Sequence, residues 1–340
     1  MYSEIETREL IAQSPTEGVA IKGIPSKDYH TMPGVSSSDI KAVLNGSIRK
    51  WLHSKNNPTK KYAFTFGNMI HCFLLENDQF FNRYFTDDQL PKAPGRNTKD
   101  GKEIFSQWCD ANFEKFTKEY GGSLSTDQWQ DEFAMWQRPD LAHMERMTKD
   151  EHEVLKGIKE NFDKHEVIQK LYSHDSGDSE VTMFWIDEAT NVLCKCRPDR
   201  INWEWPCVLD IKSTMDADLD AFQGQITDLD YHVSAAFYIE GTQKVTGKTM
   251  EDFIYTPVEK VAPFEVTYYI ADPASIDTGT MLFKAGLEIF KRYFQNPEKY
   301  AGLSKEAKLA GIRPYKFNAL DMVIEKHDLH DFKQKYGIGV

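Results

Sequence analysis

Two carboxylates and an ammonium stand at the spacing D-x10-D-x-K, with Asp199 ending the segment Cys196-Arg-Pro-Asp199 and Asp210-Ile-Lys212 following it. The stretch reads as two strands of a hairpin, Val192 to Arg197 and Cys207 to Ser213, joined through the turn-like Asn202-Trp-Glu-Trp-Pro206. Side chains alternate along a strand, so Asp210 and Lys212 project to one face. An acid and a base inside an apolar strand stay in a sheet interior only when paired or bound to metal. Two carboxylates arriving from adjacent strands suit a hard divalent cation such as Mg2+, and the backbone carbonyl of Ile211 offers another oxygen. Such a centre would stabilise charge on a phosphodiester and activate water. The Lys212 ammonium would orient the nucleophile or stabilise developing negative charge, whereas action as a free-amine base would require a depressed pKa. The spacing by itself also fits a structural salt bridge.

The surrounding sequence supplies elements to position these groups. Ser36-Ser-Ser-Asp-Ile40 places serines before Ile40, Val43 and Leu44, an N-cap signature for a short helix that Gly46 would end. A second helix is expected from Phe66 to Leu75, with Ile70, Phe73 and Leu74 on its apolar face and His71 beside them. Residues from 77 to about 150 are polar and rich in Trp, Lys and Glu, broken by Pro91, Pro94, Gly95 and Gly101, and read as inserted loops and helices. Helical spacing resumes from Met147 to Leu171. The sheet is expected to start at Glu180 to Ile186, turn at Asp187 to Asn191, and continue through the two strands above. One helix from Leu219 to Thr246 would carry Tyr231, His232 and Tyr238, followed by strands at 252–257 and 264–270 and an amphipathic helix from Pro273 to Phe294. Residues 1 to 25 have little periodicity and read as an arm or an initial strand, and no internal repeat is visible.

With 340 residues and 28% charged side chains, the chain suits one large α/β domain with helical additions. No run approaches the ~20 apolar residues of a membrane span, and Met1-Tyr-Ser-Glu-Ile-Glu6 lacks the basic and apolar regions of a secretory signal, so a cytoplasmic location is expected. Five scattered cysteines do not make a disulfide framework, and Cys194-x-Cys196 reads as small buried strand residues. There is no Gly-rich phosphate loop. The net charge of −12 argues superficially against a nucleic-acid partner, yet a metal site must concentrate carboxylates, and a cationic groove is a local property. Arg49-Lys50, Lys60-Lys61 and the run Lys305 to Lys316, with Lys308 and Arg313, read first as solvated faces and second as DNA contacts.

Five segments, in order, resemble one known family: Tyr29-His30 with Ser36-Ser-Ser-Asp-Ile40, Gly67-x-x-x-His71-x-x-Leu-Leu-Glu76, Cys196-Arg-Pro-Asp199, Leu209-Asp210-Ile-Lys212-Ser-Thr214, and Tyr231-His232-Val-x-x-Ala-Phe-Tyr238. The family is that of the RecE-type phage exonucleases (exonuclease VIII), in the RecB-like branch of the PD-(D/E)XK nuclease superfamily. The resemblance implies an α/β core, a central mixed sheet flanked by helices with N-terminal helical additions. Its domain plan is an arm over 1–25, a nuclease domain over 26–300 with a helical insertion at about 77–170, and a C-terminal extension over 301–340. It implies that Asp199 and Asp210 bind the metal with the Ile211 carbonyl, that Lys212 is the catalytic lysine, and that His71 joins the metal site from its helix. Glu180 stands where related nucleases often carry an acid, although an exposed strand-end charge reads equally well. The Gln-x-x-x-Tyr of RecB-like enzymes is represented by Tyr238 with Ser234 in place of the glutamine, and His232 is a second candidate for substrate contact. The activity implied is a Mg2+-dependent (Mn2+ as substitute) exonuclease on double-stranded DNA, degrading the 5′ strand to leave 3′ tails for recombination. A ring-shaped homo-oligomer and a single-strand annealing partner of the RecT type are implied as well. The alternatives are a RecB-like nuclease acting on single strands or flaps, a group that uses four cysteines this chain does not provide, and a catalytically silent DNA-binding subunit.

Overall fold

The structure, a computed structural model, describes residues 2–58 and 62–298. Lys60-Lys61, the basic run at 305–316 and the extension over 301–340 therefore lie outside the described residues. The described strands are β1 (Gly18–Ile21), β2 (Tyr84–Thr86), β3 (Glu145–Met147), β4 (Gly177–Ser179), β5 (Thr182–Asp187), β6 (Val192–Cys196), β7 (Arg200–Asn202), β8 (Cys207–Thr214), β9 (Asp252–Glu259) and β10 (Tyr269–Ile270). The chain divides into two compact units, one of residues up to 64 together with those from 160 onward, the other of residues 65–159.

Pro198 organises the first unit. Lacking an N–H, it cannot continue a ladder; the strand expected over 192–197 ends before it as β6, and a separate short strand, β7, starts at Arg200. The expected hairpin of 192–197 with 207–213 is thereby corrected: β6 pairs with β5, while the short β7 turns back on β8 through residues 203–206. The partner strand breaks at the same level, at Glu180, which has φ 54 and donates its N–H to the Asp199 carbonyl at 3.2 Å. A two-stranded ribbon thus turns a corner, leaving β5 and β6 in a sheet ordered β1-β5-β6, and β4 and β7 in a sheet ordered β10-β9-β8-β7-β4. In the larger sheet β8 and β9 are parallel over eight residue pairs and the remaining pairings are antiparallel, so the sheet is mixed.

A parallel pair needs a crossover, and helices Leu219–Asp228 and Tyr231–Thr246 provide it. The sequence suggested one continuous helix here. Asp230, in the left-handed region at φ 51, splits it, and the second half packs on β5 and on helix Pro273–Gln295. That packing is close: a Cβ on Gly279 would lie 2.1 Å from the backbone oxygen of His232, and one on Gly241 2.6 Å from the Trp185 ring. Helix Ser37–Leu44 forms as expected. Its capping box joins Ser36 to Asp39, whose carboxylate also takes the Trp51 indole N–H at 2.8 Å and the Lys55 ammonium at 2.7 Å. Of the arm and the initial strand offered by the sequence, residues 2–25 supply the strand, β1, preceded by a capped helix Glu4–Ala12.

The second unit carries a two-stranded parallel pair, β2 with β3, and its own aromatic core of Trp108, Leu124, Trp129 and Phe133. Trp129 donates its indole N–H to the Pro94 carbonyl at 3.1 Å, tying the proline-rich loop to that core. Among the described residues no helix is long and apolar enough to cross a membrane.

The helix contact at Gly279 is directly testable. Gly279→Ala gains helix propensity, but its methyl would meet backbone that cannot move aside. A net loss of about 1–3 kcal/mol is expected, read as a lowered midpoint in guanidinium unfolding; an unchanged midpoint would refute the contact.

Candidate active site

Along β8 the chain alternates between two environments. Leu209 and Ile211 are fully buried apolar residues, whereas Asp210 and Lys212 face the other way. The ladder between β7 and β8 ends at Arg200 opposite Leu209, so the next N–H on that side of β8, at Ile211, lies beyond the last β7 residue. Asp199 takes it, its Oδ2 accepting from Ile211 N at 2.6 Å. A strand residue's N–H and C=O point to the same side, so the Ile211 carbonyl faces the Asp199 side too. The break at Pro198 therefore brings the first acid to the second.

Asp199 and Asp210 are buried, at 6% and 2% exposure. The Lys212 ammonium forms an ion pair with Asp210 and lies 5.1 Å from the centre of the Tyr231 ring. Burial pulls the Lys212 pKa down, but Asp210 and then Asp199 push it up further, and the balance is a raised value. With Asp210 and Asp199 beside it, the raised value favours the ammonium, a hydrogen-bond donor, over the depressed-pKa base.

Glu180 completes a wider cluster. One of its oxygens lies within 4.8 Å of one from Asp199, and it pairs with the Arg197 guanidinium at 2.6 Å. Arg197 stacks 5.8 Å from the centre of the Tyr29 ring, and the buried Lys195 lies 5.1 Å from that centre while donating to the Tyr29 carbonyl at 3.0 Å. Three carboxylates, Asp199, Asp210 and Glu180, gather here, with Lys212 on Asp210 and Arg197 on Glu180. A hard divalent cation fits the oxygen-rich donor set that Asp199 and Glu180 provide.

The remaining sequence candidates are placed as follows. Tyr238 is half-buried and hydrogen-bonds Ser37; burial, then the nearby Tyr29, Asp210 and Asp199, raises its pKa well above the usual phenol value, so it stays protonated facing the acids. Ser234, four residues before it, is buried in the same helix. His232 is turned to the preceding helix, with Nδ1 3.3 Å from the Ile226 carbonyl, and burial pulls its pKa down. His71 stands half-buried on helix Tyr62–Leu75, in the second unit. Arg49 and Lys50 are exposed on helix Ile48–Asn56. Cys194 and Cys196 are buried strand residues, as expected.

Four contributors were not foreseen. Arg197 and Tyr231 lay inside quoted motifs, and their roles became visible only with the strand break and the helix break at Asp230. Tyr172, whose hydroxyl donates to Thr256 at 2.9 Å on β9, and Lys41 on helix Ser37–Leu44 carry no local signal.

Comparison with known proteins adds one family. Residues 36–302 match the family described as "PDDEXK-like domain of unknown function (DUF3799)". No curated protein matches the chain. Among solved structures, the crystal structure of a "Putative exonuclease" from Eubacterium rectale is 14% identical, with 80% of this chain and 86% of that one covered at a TM-score of 0.46. The crystal structure of SSO0001 is also 14% identical, with 54% and 79% covered at a TM-score of 0.26. Neither likeness carries an argument about activity.

A lysine whose folded pKa is raised contributes stability in full below the unfolded lysine value, about 10.4, and loses it only as pH climbs through the higher folded value. In EDTA, the stability difference between wild type and Lys212→Met is therefore expected to be flat from pH 7 to 9 and to shrink only in more alkaline solution. Denaturant titrations across that range check it; a gap already closing by pH 8 would show that the carboxylates do not hold the proton.

Proposed function

The chain belongs to the PDDEXK-like family DUF3799, a nuclease fold, and from that premise we propose that it is a Mg2+-dependent exonuclease on double-stranded DNA, degrading the 5′ strand to leave 3′ tails for recombination by strand annealing. The observation that carries the proposal is the convergence of Asp199, Asp210 and an ion-paired Lys212 where the chain leaves one sheet for the other. Polarity and substrate rest on the likeness of the ordered motifs to the RecE-type enzymes.

Asp199, Asp210 and the Ile211 carbonyl would hold the cation, with Glu180 and, by the same likeness, His71 completing its surroundings. Bound there, a divalent cation supplies charge for the scissile phosphate and a more acidic water. The chain's own groups do the rest. Lys212, held as an ammonium by its two carboxylates, donates to the attacking water or to a phosphate oxygen as negative charge develops. The protonated Tyr238, anchored through Ser37, presents a phenol to the same space and positions the backbone. Ser234 lacks the reach of the glutamine in RecB-like enzymes, which leaves Tyr238 as the positioning group of that pair.

A ring of subunits and a RecT-type annealing partner belong to the same proposal. A ring confines the cationic requirement to its channel lining, which reconciles DNA binding with a net charge of −12.

Linear duplexes labelled at the 5′ or the 3′ end test the reading. With Mg2+, early release of the 5′ label is expected, and EDTA abolishes it. Lys212→Met is expected to lose about 10²–10³-fold in rate, and Asp210→Asn at least as much. Duplex left intact by the wild type would refute the nuclease, and early release of the 3′ label its polarity. Mg2+ should also raise the melting temperature of the wild type more than that of Asp210→Asn.

A further inference from the structure

A second ammonium approaches Lys212 without a carboxylate of its own. Lys41, half-buried on helix Ser37–Leu44, places Nζ 5.7 Å from the centre of the Tyr231 ring, the ring that Lys212 approaches to 5.1 Å. The two distances together put the ammonium groups no more than about 11 Å apart. The one hydrogen bond of Lys41 is to the carbonyl of Leu229, at 3.3 Å. Among the described residues it forms no ion pair. Asp210 is engaged by Lys212, and the nearby Asp230 accepts from the Asn45 side chain.

Burial and the charge of Lys212 pull the Lys41 pKa down to about 8, with Asp210 and Asp230 pushing the other way. A cation so placed is short of an anion. Its one protein partner at that end is an exposed helix-terminal carbonyl, a neutral acceptor that leaves the charge of Lys41 without an ion pair among the described residues.

We infer that Lys41 is a substrate-contact residue that binds a DNA backbone phosphate neighbouring the scissile one, Tyr231 serving as the shared wall between it and Lys212. The inference rests on the nuclease reading above. A span of up to about 11 Å exceeds the distance between successive phosphates of one strand, so Lys41 can meet a phosphate neighbouring the one at Lys212. Lys212 acts where the bond breaks, and Lys41 fixes the register of the strand fed to it.

Two measurements separate the inference from its premise. In Ca2+, anisotropy titrations of a labelled blunt duplex over 50–300 mM salt read binding, with the duplex checked for integrity afterwards. Lys41→Gln is expected to weaken binding about 5–10-fold and to flatten the slope of log K against log salt by about 0.9, the loss of one phosphate contact. Lys41→Arg should restore most of both. In Mg2+, cleavage by Lys41→Gln should show a raised KM with kcat within about threefold of wild type. An unchanged slope and affinity in Lys41→Gln, beside a cleaving wild type, would overturn the contact and leave the nuclease standing. A Lys41-dependent slope in a wild type that never cuts would overturn the nuclease and leave the contact. A lowered melting temperature with an unchanged salt slope would assign Lys41 to the helix end instead, and so refute the inference.

Discussion

Two carboxylates cannot be buried side by side in a sheet without compensation, since each charge removed from water costs several kcal/mol even after relaxation. The arrangement of Asp199 and Asp210 answers that constraint with three donors. Ile211 N–H goes to Asp199, Lys212 goes to Asp210, and Arg197 neutralises the Glu180 carboxylate beside them. The first of these donors is free for a side chain because the ladder stops short of Pro198. Had the β7–β8 ladder run on past Arg200, backbone would have consumed the Ile211 N–H that the Asp199 carboxylate now accepts. Turning the corner with its partner at Glu180 converts a plain hairpin into a place where backbone polarity is available to side chains.

The same cluster can be set against a second buried one in the first unit. Lys284 bridges Asp187 and Glu240, each at 2.7 Å, and so joins β5 to the two long helices. Those partners are 97 and 44 residues away along the chain, and the pair contributes cohesion in return for its burial. Asp210 and Lys212 are two residues apart on one strand. Their pairing staples no element to another, so a structural salt bridge gives no reason for burying them. The pair sets an ammonium beside oxygen donors, under the ring of Tyr231 on the following helix.

What the sequence made legible follows from which interactions are local. The Ser36–Asp39 cap, the alternation of Leu209, Asp210, Ile211 and Lys212, and the turn before Cys207 are all short-range, and the structure repeats them. The break at Pro198 was also written in the sequence, but a proline can end a strand or sit at its edge, and only pairing decides which. Asp230 breaks the crossover helix through a left-handed residue that a helical pattern conceals. Glu180 reads as a strand end until its φ of 54 is known, and only then does its side chain meet Arg197. The second unit was read only as inserted loops and helices, although its helices start at ordinary N-caps, Thr98 and Ser125. Its core was not legible, because Trp108 and Trp129 meet across a proline-rich loop.

The acidic balance of the chain now carries less weight as an argument against DNA. Fifty-three acids against forty-one bases describe the average surface, which governs solubility and non-specific association. The field at a buried site is set by a few charges at low dielectric. Here Lys41, Lys195, Arg197 and Lys212 gather around the rings of Tyr29 and Tyr231. Burial, with Lys212 and Lys55 respectively adding to it, pulls the pKa of Lys41 and of Lys195 down to about 8. Arg197 and Lys212 answer Glu180 and Asp210, Lys195 donates to the Tyr29 and Met32 carbonyls, and Lys41 alone of the four rests on a single carbonyl, so the local field beside the carboxylates is not the one a net charge of −12 suggests.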